Sequence, residues 1–184
     1  TLRAFAVIAQ VLREQLAQRG SHLDVLAQGE WPKLRLMERF RAGAGPQGGC
    51  ILVASASFWE GFDVPGDALQ LVVIDKLPFP PPGDPLVEAR TLQIEQSGGS
   101  AFKEYALAEA AVALKQGAGR LIRHESDRGV LVVCDSRLVR MGYGKRLIAA
   151  LPPMRRLSGA EEFHAALEDL ASVTRTSTTD QTFL

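Results

Sequence analysis

Residues 129–135 read Gly-Val-Leu-Val-Val-Cys-Asp, residues 50–55 read Cys-Ile-Leu-Val-Ala-Ser, and residues 70–77 read Gln-Leu-Val-Val-Ile-Asp-Lys-Leu. Each holds a continuous apolar run rather than an alternating one. A strand with one face in water alternates apolar and polar residues, whereas a strand covered on both faces does not, as in parallel sheets. Helical spacing fills the intervals. Leu2 to Arg19 places Phe5, Ile8, Ala9, Leu12 and Leu16 on one stripe, and Gly20 is a natural stop. His22 to Ala27 is a short strand candidate. Pro32 opens a second helix to about Arg41, with Leu34, Met37 and Phe40 as its apolar stripe. Helices alternating with buried strands predict an α/β domain with a mostly parallel sheet.

The second half repeats the pattern. Gly43–Gly49 is glycine-rich and reads as a loop, and Pro78–Pro85 holds five prolines in eight residues, which excludes regular structure. A helix is expected after it to about Gln96, a break at Ser97–Ser100, and a long Ala-rich helix from Phe102 to about Arg123. Arg137 to Leu151 reads as mostly helical, stopped by Pro152 and Pro153. Glu161 to Val173 reads as a last amphipathic helix, and Thr174–Leu184 as a polar, loose tail. Open α/β sheets take ligands at the carboxyl ends of their strands. The loops after Ser55, Leu77 and Asp135 are therefore where chemistry is expected.

Composition narrows the classes. Across 184 residues, 46% are hydrophobic, enough for a core, and 21 Lys and Arg balance 21 Asp and Glu. A neutral chain offers no general attraction for nucleic acid, so any DNA contact must be local. Cys50 and Cys134 each sit in an apolar run and are expected to be buried, reduced thiols. No Cys/His grouping has zinc or iron–sulfur spacing, so no metal ligand is expected. No apolar run approaches the ~18 residues of a membrane span, and no signal peptide is visible, which reads as a cytoplasmic protein. Thr1 runs straight into helical pattern without an initiator Met, so a piece of a longer chain is expected.

Two phosphate motifs fail. Gly43-Ala-Gly-Pro-Gln-Gly48 fits GxGxxG in letters, but it follows a helix and precedes a strand, and Pro46 removes an N–H. Gly144-Lys145 resembles the end of a P-loop, yet Arg146 stands in place of Ser or Thr, and Val139 in place of the first Gly. The chain carries no Walker A motif, so it cannot cradle a triphosphate alone.

Two other stretches carry chemistry. In Gln116-Gly-Ala-Gly-Arg-Leu-Ile-Arg123, a continuous helix would put Gln116, Gly119, Arg120 and Arg123 on one face, with Ala118, Leu121 and Ile122 toward the sheet. Two arginines one turn apart can grip a phosphate chain through forked, charge-assisted bonds. Gly117 and Gly119 each cost a helix ~1 kcal/mol against Ala, which points to close approach by something; a basic surface face with incidental glycines is the plain alternative. The second stretch, Ser55-Ala-Ser-Phe-Trp-Glu-Gly-Phe-Asp-Val-Pro-Gly66, follows directly on a buried strand. Its carboxylates Glu60 and Asp63 flank Gly61. Phe58 and Trp59 either anchor the loop or meet a base or a neighbouring domain. Asp135 and Arg137 look like an interface pair or a plain structural salt bridge.

These stretches resemble motifs VI and V of superfamily 2 helicases. With the loop Asp75-Lys-Leu-Pro-Phe-Pro-Pro-Pro-Gly-Asp-Pro85 and the runs ESDRGVLVVCDSRL and YGKRLIAALPPM, they are similar to the DinG/YoaA (XPD-like) group, the YoaA branch fitting best. The resemblance is strong from Cys50 to Met154 and weak before Gly49. It implies a RecA-like parallel sheet flanked by helices over residues 1–154, the second motor domain of an ATP-dependent 5′→3′ DNA helicase of repair or replication. Residues 155–184 would form a C-terminal helix and tail.

The resemblance also implies roles. Arg123 would be an arginine finger for ATP held on the opposite motor domain, Arg120 a second phosphate contact, and Gln116 a positioner of the nucleotide or attacking water. Glu60, Gly61, Asp63 and Gly119 would face the nucleotide, with the interdomain hinge as the alternative for Glu60 and Asp63. Ser57, Trp59 and Lys76 would touch single-stranded DNA, with Lys145 and Arg146 as further backbone contacts. ATP and Mg2+ would be shared with a first motor domain in cis, which would also hold a 4Fe-4S cluster. The family is associated with the chi subunit of the polymerase III clamp loader, for which Arg175, Thr176 and Phe183 are candidate contacts. The rival reading is a non-catalytic docking module for such a replication protein. This chain alone is expected to be inactive.

Overall fold

The computed structural model describes residues 2–43, 49–59, 61, 69–122 and 127–179, with side chains through 172. These residues separate into two compact units, 1–68 and 69–184.

The first unit contains helix α1 (Leu2–Gln18), strand β1 (Asp24–Ala27), helix α2 (Lys33–Arg41) and strand β2 (Cys50–Val53). β1 and β2 pair in parallel with Val25 beside Ile51 and Ala27 beside Val53. Side chains alternate across a strand, so these four share a face. There they pack with Ala9, Leu12 and Leu16 of α1. Residues of the other parity meet α2, whose Phe40 carbonyl lies 3.8 Å from Cys50 Sγ. The stripe expected on α2 is partly corrected: Met37 and Phe40 are buried, but Leu34 is 65% exposed and Leu36 is fully enclosed in its place. Leu36 and Leu34 point to different sides of the turn, and the pair of positions next to one another, Leu36 and Met37, takes the inward side.

The outer edge of β1 is closed by side chains. Arg13 donates to the Val25 carbonyl, and Glu30 Oε2 accepts the Ala27 N–H at 3.2 Å. Arg13 and Glu30 are themselves paired at 2.8 Å. An open strand edge is a template for unwanted pairing, and this ion pair occupies groups that a neighbouring strand would take.

The second unit contains strand β3 (Leu71–Ile74), helix α3 (Pro85–Gln96), a π-helical turn (Phe102–Ala106), helix α4 (Leu107–Ala118), strand β4 (Val130–Val133), helices α5 (Arg137–Arg140) and α6 (Gly144–Ala150), and helix α7 (Ala160–Thr179). β3 and β4 are parallel, with Leu71 beside Val130 and Ile74 beside Val133. Asp84 caps α3 by accepting the N–H groups of Leu86 and Val87, which explains why the proline run gives way to helix at Pro85. In α4, Leu107, Ala110, Leu114 and Ala118 are buried at helical spacing, and Leu147 of α6 is fully enclosed.

The α/β class and parallel pairing match the sequence reading, with four differences. Leu71 and Val73 of β3 are exposed, so that strand is not covered on both faces among the described residues. Cys50 is half-buried and Cys134 exposed; neither is in a disulfide, and neither is a core residue. The Arg137–Leu151 segment is two helices broken at Met141, which is extended. The last helix runs to Thr179, past the expected end at Val173. Among the described residues no helix is long and apolar enough to cross a membrane.

Candidate nucleotide and nucleic-acid interface

In the first unit, the segment after β2 lies at the carboxyl edge of the parallel pair, as expected for a ligand-facing loop. It turns immediately into a short 3-10 helix, Ala56–Phe58. Phe58 is buried, so it anchors the loop, while Trp59 is half-buried and Ser57 exposed. Ser57 Oγ shares a hydrogen bond of 2.7 Å with Ser55 Oγ. The chain then bends at Gly61, whose φ of +70° suits glycine and strains a residue with a Cβ. Glu60 and Asp63 lie outside the described residues.

Two residues that the sequence reading passed over hold this loop. Gln28 Oε1 accepts the Ser55 N–H at 2.8 Å, and Lys33 Nζ donates to the Ser57 carbonyl at 2.7 Å. The visible signal for Gln28 was a polar residue directly at the end of the apolar run Val25–Ala27, at the same carboxyl edge as the other loops.

In the second unit, the arginine-rich stretch departs from the expected geometry. α4 ends at Ala118 with Gly119 as its cap, so Gln116, Gly119 and Arg120 do not share the face of one continuous helix. Instead, the Arg120 N–H bonds the Gly117 carbonyl at 3.3 Å and the Leu121 N–H bonds Ala118 at 3.1 Å, a tightened turn. Gln116 is exposed in the last helical turn and Arg120 is half-buried. Leu121 is buried as expected, but Ile122 is 44% exposed. A Cβ at Gly129 would meet Leu121 at 2.7 Å, so Leu121 seats the turn against the entrance to β4. Arg123 lies outside the described residues. Two glycines and a leucine thus stop the helix and fasten the segment that leads to Arg123.

At the carboxyl ends of β3 and β4, Asp135 organises a polar knot. It accepts from Arg137 Nη2 at 2.6 Å, from Arg137 Nε at 2.9 and 3.0 Å, and from the backbone N–H groups of Arg137 and Leu77, each at 3.0 Å. The Arg137 bond, aided by the Leu77 N–H, holds the Asp135 carboxyl well below the usual carboxylate range against the opposing effect of burial. Arg137 also lies over the Phe79 ring at 5.5 Å, and Phe79 packs with Phe102 and Tyr143. The structural-bridge alternative for Asp135 and Arg137 is the one with contacts behind it. The bridge ties the proline loop to β4. Lys76, Lys145 and Arg146 are exposed. Gly144 has a packing reason rather than a phosphate one: a Cβ there would overlap the Leu138 carbonyl of α5.

Among the described residues no three His, Cys, Asp or Glu side chains gather as a metal site. Two cysteines cannot supply a four-thiolate cluster. Of the partner-contact candidates, Arg175 and Thr176 fall on α7 at positions whose side chains are not described, and Phe183 lies outside the described residues.

The parallel pairing, the loop at the carboxyl edge and the arginine-bearing turn define the class. The chain belongs to the helicase C-terminal domain family, whose model matches residues 2–154. Among its relatives, it is 52% identical over 134 residues to the ATP-dependent DNA helicase YoaA of Escherichia coli, covering 73% of this chain and 20% of that protein. It is 41% identical over 171 residues to the ATP-dependent helicase DinG of Mycobacterium tuberculosis H37Rv, covering 93% of this chain and 24% of that protein. To the 3′-5′ exonuclease DinG of Bacillus subtilis it is 35% identical over 147 residues, 79% of this chain and 15% of that protein. The chain therefore spans about a fifth of the length of such relatives.

Proposed function

We propose that this chain is the C-terminal motor half of an ATP-dependent 5′→3′ DNA helicase acting in repair or replication. The observation that carries the reading is the family match across residues 2–154, which spans both the Ser55 loop and the Gln116–Arg123 stretch. The names of the relatives YoaA and DinG agree with it. In this reading ATP and Mg2+ are held by a second motor domain. Arg123 reaches the γ-phosphate from across the cleft, where it stabilises charge that builds during phosphoryl transfer. Arg120 adds a second cationic contact, and exposed Gln116 orients the nucleotide or water. Capping at Gly119 sets the exit direction of the segment, while Glu60, Gly61 and Asp63 sense the nucleotide. Ser57, Trp59 and Lys76 grip single-stranded DNA, so closing the cleft on ATP moves the strand. The two cysteines here do not fit a 4Fe-4S cluster, which in this reading belongs to the other motor domain.

Strand displacement by the full-length protein tests this. ATP-dependent unwinding of a duplex with a 5′ single-stranded tail is expected. DNA degradation without unwinding would overturn the helicase reading in favour of an activity like that named for the Bacillus subtilis relative. A second reading concerns residues 155–184. Helix α7 extends to Thr179 and lies beyond the family match. With Arg175, Thr176 and Phe183 it would dock a replication protein such as the clamp-loader chi subunit. Loss of capture when residues 155–184 are removed from the full-length protein supports it; unchanged capture rejects it.

A further inference from the structure

The Ser55–Trp59 segment carries Ser57 and Trp59, two of the three side chains assigned to DNA in the proposed function, and two of its ties come from outside it. Its internal bonds are those of one tight turn, Phe58 N–H to Ser55 at 3.0 Å and Trp59 N–H to Ala56 at 2.9 Å, and the hydroxyl pair Ser55 Oγ–Ser57 Oγ at 2.7 Å. The remaining ties come from outside. The Gln28 N–H bonds the Val53 carbonyl at 2.9 Å, which fixes Gln28 beside the end of β2. Its side chain then turns onto the Ser55 N–H at 2.8 Å. A backbone N–H can be met only by the amide oxygen, so this contact also fixes which way the carboxamide faces. Five residues on, at the start of α2, Lys33 Nζ reaches the Ser57 carbonyl at 2.7 Å and sits 5.2 Å from the Phe58 ring centroid. One contact therefore holds the entry of the loop and the other holds its exit.

We infer that Gln28 and Lys33 are positioning residues: together they clamp the Ser55–Phe58 loop in the shape that presents Ser57 and Trp59. The inference rests on the proposed reading that this loop grips DNA. Neither residue needs to touch the strand. Gln28 satisfies a half-buried N–H that would otherwise lack a partner when the loop leaves the sheet. Lys33 donates to the exit carbonyl of Ser57 and lies over the buried Phe58 anchor as a cation on a ring face. Gln28 directly follows β1 and Lys33 opens α2, so the carboxyl edge of β1 and the start of α2 set the register of the loop after β2. Removing either contact leaves the Phe58 anchor but frees one end of the turn, and a loop that must be reordered on binding lowers affinity for its ligand.

The experiment measures ATP turnover by the full-length protein against the concentration of oligo(dT). Gln28→Ala is expected to raise the half-saturating DNA concentration about tenfold, the size expected for one lost hydrogen-bond acceptor to a half-buried N–H. Turnover at saturating DNA should be largely kept. Gln28→Glu retains an acceptor oxygen and should restore the wild-type value. Lys33→Met keeps the stem over Phe58 but loses the donor, and should act in the same direction. The double variant should fall short of the product of the two, because both release one loop. A Gln28→Ala protein with a lowered melting temperature and unchanged half-saturation would reduce Gln28 to a structural residue and overturn the inference. Should Gln28→Ala fail to fold, Lys33→Met decides by the same readout. Ser57→Ala and Trp59→Ala separate the two levels. If they raise half-saturation and Gln28→Ala and Lys33→Met do not, the clamp alone is rejected; if none does, the DNA role of the loop falls with it.

Discussion

Replacing Asp135 should cost far more than replacing its ion-pair partner Arg137. The Asp135 side chain is 9% exposed and the Arg137 side chain 47%. An exposed guanidinium in an ion pair contributes little, because water screens it, and its contact with Phe79 adds only a small further amount. Asp135 does more, because it also accepts the Leu77 N–H at 3.0 Å. Leaving that N–H without an acceptor costs about 1–3 kcal/mol, and losing the charged bonds from Arg137 adds to it. We therefore expect Asp135→Ala to destabilise by about 3 kcal/mol and Arg137→Ala by much less. Asp135→Asn, with one remaining carbonyl oxygen, should lie between them. In a protein of this size the larger loss lowers the melting temperature by about 6–12 °C. The pH dependence has a fixed sign. A carboxyl held below its ordinary range when folded stabilises above the unfolded value of about 4, and that contribution is lost as pH falls further. Thermal denaturation of the three variants at pH 7, and of Asp135→Asn and wild type down to pH 3, reads both effects. Equal losses for Asp135→Ala and Arg137→Ala, or a gap that widens at low pH, would refute the reasoning.

Gly144→Ala should destabilise by about 3 kcal/mol, because the new Cβ meets the Leu138 backbone rather than a yielding side chain; calorimetry checks this, and a near-neutral variant would mean that the α5–α6 approach is loose. Glu30→Ala should cost about 1–2 kcal/mol by leaving the Ala27 N–H open. It should also raise light scattering on storage through the uncovered β1 edge, and unchanged stability and scattering would count against that role.

The strands and most helices were legible because each rests on a local signal: a continuous apolar run, a helical stripe, Pro32, the break after the proline run. What failed depends on geometry that no local pattern encodes. Leu34 and Leu36 are equally apolar, and only the crossing of α2 over its strands decides which is enclosed. Helical periodicity carried the reading through Gly117 and Gly119 to Arg123, but the cost of glycine in a helix, together with the seat of Leu121 against Gly129, ends α4 at Ala118. The Ser55 loop was legible from its place after a strand, whereas Gln28 and Lys33 act across 27 and 24 residues of sequence and became visible only as contacts. Asp135 and Arg137 lie close enough in sequence to be noticed as a pair; the Leu77 N–H that makes Asp135 the more consequential partner does not.

The claim on which the account turns is that this domain sends a guanidinium to a triphosphate bound elsewhere. Single-turnover ATP cleavage by full-length protein carrying Arg123→Ala, with DNA saturating, measures it most directly. Cleavage should slow by roughly 10³ or more while DNA binding is nearly kept, as expected for a lost finger. Cleavage at the wild-type rate would contradict it.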